Sequence, residues 1–254
     1  MDRQISLLIP SRGRPERLLQ MMASAFATST KSFTFSSLQF CIGLDKDDSA
    51  YSTYEKLLEE ASITLNIAYH ISDKQMPAPD HLNAMAKTIA SGELMFALGD
   101  DVLFRTENWN KEINLLWDKC PDNILIAYCN NGRDREKCEH FILHSDWIRQ
   151  TIDICPPYFR HFCVDGWVED IAIRINRLTW LKHVIVEHMH FKYGKAQNDD
   201  TYQAVRQPIG STSVSEIDTA MYRKTDIERI KIANKLRAYI DDWAVYNDRE
   251  PRSY

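Results

Sequence analysis

No stretch of this 254-residue chain approaches the about 20 consecutive apolar residues that a membrane-crossing helix needs. The first residues lead into an apolar run without the layout of a signal peptide, so a cytoplasmic setting is expected. None of the six cysteines belongs to a CxxC pair, which argues against a structural zinc site and for reduced thiols. A basic excess is also missing. Lys and Arg number 31 against 36 Asp and Glu, for a net charge of -5. A nucleic-acid footprint is therefore not expected, although a local Lys and Arg pocket for phosphates stays compatible with that balance. There is no internal repeat and no low-complexity tract.

Hydrophobic residues make up 44% of the chain, enough for a core that needs no covalent staple. Ile5 to Ile9 reads as a strand covered on both faces, followed by the turn Pro10-Ser11-Arg12-Gly13-Arg14-Pro15. Pro15 fits the first turn of a helix whose apolar face is Leu18, Leu19, Met22 and Phe26. Further strands are predicted at 38–44, 63–71, 94–98, 124–129 and 184–191. Helices are predicted from Ser52, with Glu55 as its capping-box partner, and from an Asp80 cap to Ala90. Others are expected at 109–119, 165–178 and 217–246, the last broken once. The stretch 130–163 reads as irregular and polar, and 194–215 as a mobile loop. Alternating strands and helices imply an α/β fold with a mostly parallel sheet flanked by helices. The division expected is residues 1–212 as one domain and 213–254 as a helical extension, which either packs on the domain or pairs two copies in a homodimer.

Three of these strands run into ligand-type groups: Ser11 and Arg12, then Asp45, Asp47 and Asp48, then Asp100 and Asp101. Parallel neighbours would bring all three clusters to one crevice at their carboxyl ends. Carboxylates gathered there repel one another unless a cation neutralises them. Oxygen ligands suit Mg²⁺ or Mn²⁺, ions that bridge diphosphate oxygens. His188 and His190 alternate on a late strand, and His190 is favoured as a metal ligand because Phe191-Lys192-Tyr193-Gly194-Lys195 follows it. Lys195, beside a glycine hinge, can reach a diphosphate. Asp165, Glu169 and Asp170 are candidates for a base that takes a proton from an attacking hydroxyl. Each feature also has a plainer reading: a polar turn, a structural histidine, or acids drawn to a helix N-terminus by its dipole.

Taken in order, these features resemble the GT-A fold glycosyltransferases, over about residues 5 to 200. The apolar strand followed by Pro10, Ser11 and Arg12 is similar to the family's opening, and the closest flavour is the small mannosylglycerate-synthase-like and phage or bacterial transferases. The resemblance implies a Rossmann-like GT-A sheet and a nucleotide-diphosphate sugar donor, with a UDP-sugar the family's common choice. It implies a Mn²⁺ or Mg²⁺ cofactor and an acceptor that the sequence leaves unnamed. It makes Pro10 to Arg12 and Asp45 to Asp48 the nucleoside site, and Asn83 a donor contact. Gly99-Asp100-Asp101 takes the place of the DxD motif, with Asp101 the ligand and Asp100 beside it, or with Asp100 leading and Val102 third. His190 takes the place of the late metal-ligand histidine, and Glu169-Asp170 or Asp165 that of the base. The alternatives are a nucleotide-sugar hydrolase or nucleotidyltransferase on the same metal site, or a non-catalytic nucleotide-sugar-binding module. A nucleotidyltransferase would carry a glycine-rich loop after the first strand, where this chain has Gly13 alone.

Overall fold

The computed structural model describes residues 3–30, 37–133, 138–204 and 206–247. Its centre is a parallel run made by β1 (Ile5–Pro10), β2 (Leu38–Asp45), β3 (Asn66–Ser72) and β4 (Leu94–Ala97), in the order β3-β2-β1-β4. β1 pairs on both sides, Leu8 lying opposite Cys41 and Ala97, which is why its sequence is apolar almost throughout. Successive side chains of a strand point to opposite faces. Ile5, Leu7 and Ile9 join Leu18, Met21 and Met22 of α1 (Pro15–Ala27) in one core layer. Leu8, Met95 and Ala97 face the other layer with Leu82 and Met85 of α3 (Ala78–Thr88). α2 (Tyr51–Ala61) covers the first face.

Beyond β4 the sheet changes character. β5 (Val102–Phe104), β6 (Ile126–Asn130), β7 (Phe141–His144) and β8 (Leu178–His188) extend it to eight strands in the order β3-β2-β1-β4-β7-β6-β8-β5. β7 runs antiparallel to both β4 and β6, and β5 antiparallel to β8, whereas β6 and β8 are parallel. The sheet is therefore mixed rather than mostly parallel outside its first four strands. The stretch 130–163, expected to be irregular, holds β7 and α5 (Ser145–Thr151). The capping box expected at Ser52 and Glu55 does not form. α2 starts one residue earlier, and Asp48 instead accepts from the Ala50 N–H at 3.0 Å.

α4 (Trp109–Trp117) packs on the first layer, and α6 (Val164–Arg174) on the second. The mobile loop expected at 194–215 includes α7 (Asp200–Ala204). The last helix is broken at Thr225, giving α8 (Val214–Lys224) and α9 (Asp226–Tyr246). Ala233, Leu236 and Ile240 of α9 join Trp147 and Trp167 in the second layer, so the C-terminal segment completes the core. Among the described residues no helix is long and apolar enough to cross a membrane.

α8 also pins a loop of the main body. Asp218, fully buried, accepts from the N–H groups of Arg160 (3.1 Å), His161 (3.0 Å) and Phe162 (2.7 Å). Asp218→Ala would leave these three donors without their acceptor in a closed site, and a loss of about 3 kcal/mol of folding stability is expected. Denaturant unfolding checks it. A variant as stable as the parent would show that water satisfies the loop without Asp218.

Candidate active site

The strand ends that carry polar clusters meet at one rim. β1, β2 and β4 deliver their carboxyl ends there. Because β7 is antiparallel to β4, its beginning reaches the same rim and brings His140, one residue before it. β8 runs antiparallel to β5, and its last residue, His188, lies opposite Val102.

Asp101, His140 and His188 form the cluster able to hold a metal among the described residues, with one ligand atom of each within 4.8 Å of the others. His188 Nε2 lies 3.3 Å from Asp101 Oδ2, and its Nδ1 lies 3.1 Å from Glu139 Oε2. That second contact orients the ring and fixes its tautomer, as carboxylates behind metal-binding histidines do. Burial and the neighbouring His188 push the His140 imidazole down to about 3, so at neutral pH it offers a lone pair. Burial raises the Asp101 carboxyl, but His188, Tyr202 and His140 together hold it well below the usual carboxylate range. Gly99 has no Cβ, and needs none: one built there would lie 2.6 Å from Asp101 Oδ1. The cluster offers one carboxylate oxygen and two imidazole nitrogens as candidate ligands for a divalent ion.

His190, favoured from sequence as the ligand, stands beside this cluster and not in it. β8 ends at His188, so the strand alternation does not reach residue 190. His190 instead caps the short 3-10 turn Phe191–Tyr193, its Nδ1 accepting from the Lys192 N–H at 3.1 Å. Its ring stacks on Phe191 and tilts against Tyr202.

Arg14 is the hub of the rim, and the sequence reading missed it. Its buried guanidinium donates to Asp100 Oδ1 at 3.1 Å and to both oxygens of Asp199, at 2.6 and 2.9 Å, with the Tyr202 ring 3.8 Å away. Ser11 Oγ donates to Asp100 Oδ2 at 2.7 Å. Burial pushes the Asp100 carboxyl up to about 6, with Arg14 opposing and the charge of Asp101 adding. Asp100 is thus an internal acceptor, and Asp101 the carboxylate turned to the histidines. A cavity of about 110 Å³ beside them is lined by Arg17, Asp100, Asp101, Met189 and Lys195 among others. Lys195 reaches this rim while its ammonium donates to Glu187 at 2.7 Å. A cavity of about 320 Å³ lies elsewhere, beside Gly92 and Glu93 at the opposite end of β4.

The acidic turn after β2 divides between scaffold and rim. Arg12, just past Pro10 at the end of β1, donates to Asp45 (3.0 Å) and Asp47 (2.6 Å). Asp45 is buried and also accepts from the Met76 N–H, with His81 Nε2 at 3.0 Å. Asp48 accepts from the Gly13 N–H at 2.7 Å and so ties the β1 turn to α2. Asn83 is engaged with backbone at both ends of its amide, donating to Cys155 O (2.7 Å) and accepting from Ile154 N–H (2.9 Å). That bonding makes Asn83 part of the scaffold.

The three acids of α6 also separate. Asp170 accepts from Arg174 and from the buried Arg229, both at 2.7 Å, and so fastens α6 to α9. Asp165 accepts from the Gly166 N–H at 2.8 Å. Asp165 and Glu169 both act on the Cys138 thiol, which burial first and these charges second raise well above its ordinary value.

No protein-family model matches the chain, and no curated protein does. Solved structures do. TarS of S. aureus, residues 1–349, superposes with a TM-score of 0.59 at 12% identity, over 80% of this chain and 63% of that one. The mannosyltransferase PcManGT from Pyrobaculum calidifontis, in complex with GDP-Man and Mn²⁺, superposes with a TM-score of 0.61 at 10% identity, over 96% and 76% of the two chains. GalNAc-T7 with UDP, GalNAc and Mn²⁺ gives 0.59 at 7% identity, over 74% and 43%. The chain thus spans 63% of the TarS 1–349 structure. Identities this low carry the fold alone, and the fold is that of the GT-A glycosyltransferases.

Proposed function

We propose that the chain is a metal-dependent glycosyltransferase that moves a sugar from a nucleotide-diphosphate sugar to a hydroxyl acceptor. The observation that carries this reading is Asp101 meeting His188 and His140 at the strand-end rim, beside Arg14 and the acidic turn after β2. Structural neighbours hold GDP-Man, or UDP, together with Mn²⁺, which supports a nucleotide-sugar donor and a divalent ion.

Asp101, His188 and His140 would hold a divalent ion, which would supply positive charge to a departing diphosphate. Arg14, Arg17 and Lys195 add cations along the rim, and Arg14 is held rigid by burial. Arg12 with Asp45 and Asp47 offers the nucleoside a donor and acceptors. Asp165 or Glu169 takes the acceptor proton, because Asp170 is already bound by two guanidinium groups.

The test is release of nucleoside diphosphate from a panel of UDP- and GDP-sugars, with and without Mn²⁺ and candidate acceptors. Release that requires the metal is expected. Nucleotide binding without release, under every acceptor tried, would make the chain a binding module. Mn²⁺ is expected to support turnover at least about tenfold better than Mg²⁺, because two of the three ligands are nitrogens. Equal rates with the two ions would remove the histidines from the metal shell.

A further inference from the structure

Residues 199–202 occupy the rim with groups that imitate ligands. Asp199 presents both carboxylate oxygens to Nε and one terminal nitrogen of Arg14, a two-point contact that a phosphate also makes. Tyr202 donates its hydroxyl at 2.6 Å to Asp101 Oδ2, the oxygen that His188 faces. Between them, Thr201 donates to the Arg12 carbonyl at 2.8 Å. Arg206 fastens the far end, its guanidinium donating to the Tyr202 carbonyl at 2.5 Å. The cavity beside Asp100 and Asp101 is about 110 Å³, smaller than the about 300–1,000 Å³ common for small-molecule sites.

We propose that α7 with Asp199 is an internal plug: Asp199 stands in for a donor phosphate on Arg14, Tyr202 caps the metal-facing oxygen of Asp101, and a metal–nucleotide binds by expelling both. The proposal rests on the nucleotide-sugar reading above, and it assigns Arg14 as the phosphate contact. Both surrogates are weaker than what replaces them. A diphosphate brings more negative charge to Arg14 than one carboxylate, and a metal ion neutralises Asp101 where a neutral phenol only donates a hydrogen bond. The plug therefore lowers the apparent affinity for donor by the fraction of chains in which it is seated. The opposite arrangement, in which α7 closes over a bound donor, predicts the opposite sign in every measurement below.

The experiment titrates Mn²⁺ with UDP, and Mn²⁺ with GDP, into the unmodified chain, Asp199→Asn and Tyr202→Phe. Tyr202→Phe keeps the ring over Arg14 and removes only the hydroxyl. Amide hydrogen exchange over 199–204 is read with and without ligand, and thermal melting confirms that both variants are folded. The expected result is binding about tenfold tighter in each variant, the size of losing one charge-assisted contact that competes with the ligand. In the unmodified chain the 199–204 amides should lose protection on binding. Equal or weaker binding by the variants, or amides that gain protection, overturns the plug while leaving the donor reading intact. No binding of either nucleotide by any of the three chains overturns the donor reading itself, and the plug with it.

Discussion

Asp101→Asn is expected to lower metal-dependent release of nucleoside diphosphate about a thousandfold, the order seen when a preorganised charge contact to a departing group is removed. The side chains have the same shape, so the loss isolates the charge. Asp101 is the single carboxylate among the three candidate ligands, and the histidines alone bring no negative charge to the ion. Asparagine can still accept from Tyr202 and so leaves the packing of the rim in place. Mn²⁺ titration and thermal melting should therefore diverge: affinity for the ion falls, while the melting temperature holds or rises. Asp100→Asn gives the contrast. Asp100 is tied to Ser11 and Arg14, and its loss should disturb the fold more and the metal less. Turnover close to that of the unmodified chain in Asp101→Asn, with the Mn²⁺ response unchanged, would place the metal elsewhere.

The half of the fold built by β1 to β4 was legible because physics writes it into short windows. A strand covered on both faces is apolar almost throughout, and Ile5 to Ile9, with Ser6 alone polar, and Leu94 to Leu98 meet that requirement before running into polar turns. β5 and β7 were not legible. They are three and four residues long, too short for periodicity to rise above a polar neighbourhood. Missing β7 meant missing His140, although Phe141-Ile142-Leu143 just after it was a usable sign. Choosing between His188 and His190 required knowing where β8 stops, and strand ends are the least readable feature of a sequence. Arg14 stood in plain view in Ser11-Arg12-Gly13-Arg14, but nothing local shows that Asp199, 185 residues away, will bury it.

Residues assigned to chemistry that turn out to hold the scaffold share one cause. Asn83, Asp48 and Asp170 are polar groups beside strand ends or helix starts, the same positions that ligand-binding groups take. What separates the two kinds is whether their hydrogen-bonding capacity is already met within the chain. Asp48 and Asn83 are met by backbone, and Asp170 by two arginines. Only the folded structure shows that, because a partner of Asn83 lies 72 positions away and a partner of Asp170 lies 59 positions away.

The two arginines that hold Asp170 bear on where the base should be sought. Asp165→Asn is expected to reduce transfer to acceptor by about a hundredfold to ten-thousandfold, the contribution of a positioned general base, while binding of nucleotide and Mn²⁺ stays unchanged. Asp165 stands in the first turn of α6, where Cys163 takes a left-handed backbone conformation (φ 66°) to start the helix. Glu169 stands one helical turn on. Asp170 points to α9, where burial would raise its carboxyl but Arg174 and Arg229 hold it low. A carboxylate held by two guanidinium groups is a weak base, so Asp170→Asn should cost stability and spare the chemistry. The decisive readout is the ratio of transfer to donor hydrolysis, which falls if Asp165 activates the acceptor and stays fixed if it only shapes the helix. Retained transfer in Asp165→Asn with loss in Glu169→Gln would move the role one turn along α6. Retained transfer in both would mean that the acceptor proton leaves by another route, as it does in enzymes that keep the configuration of the sugar.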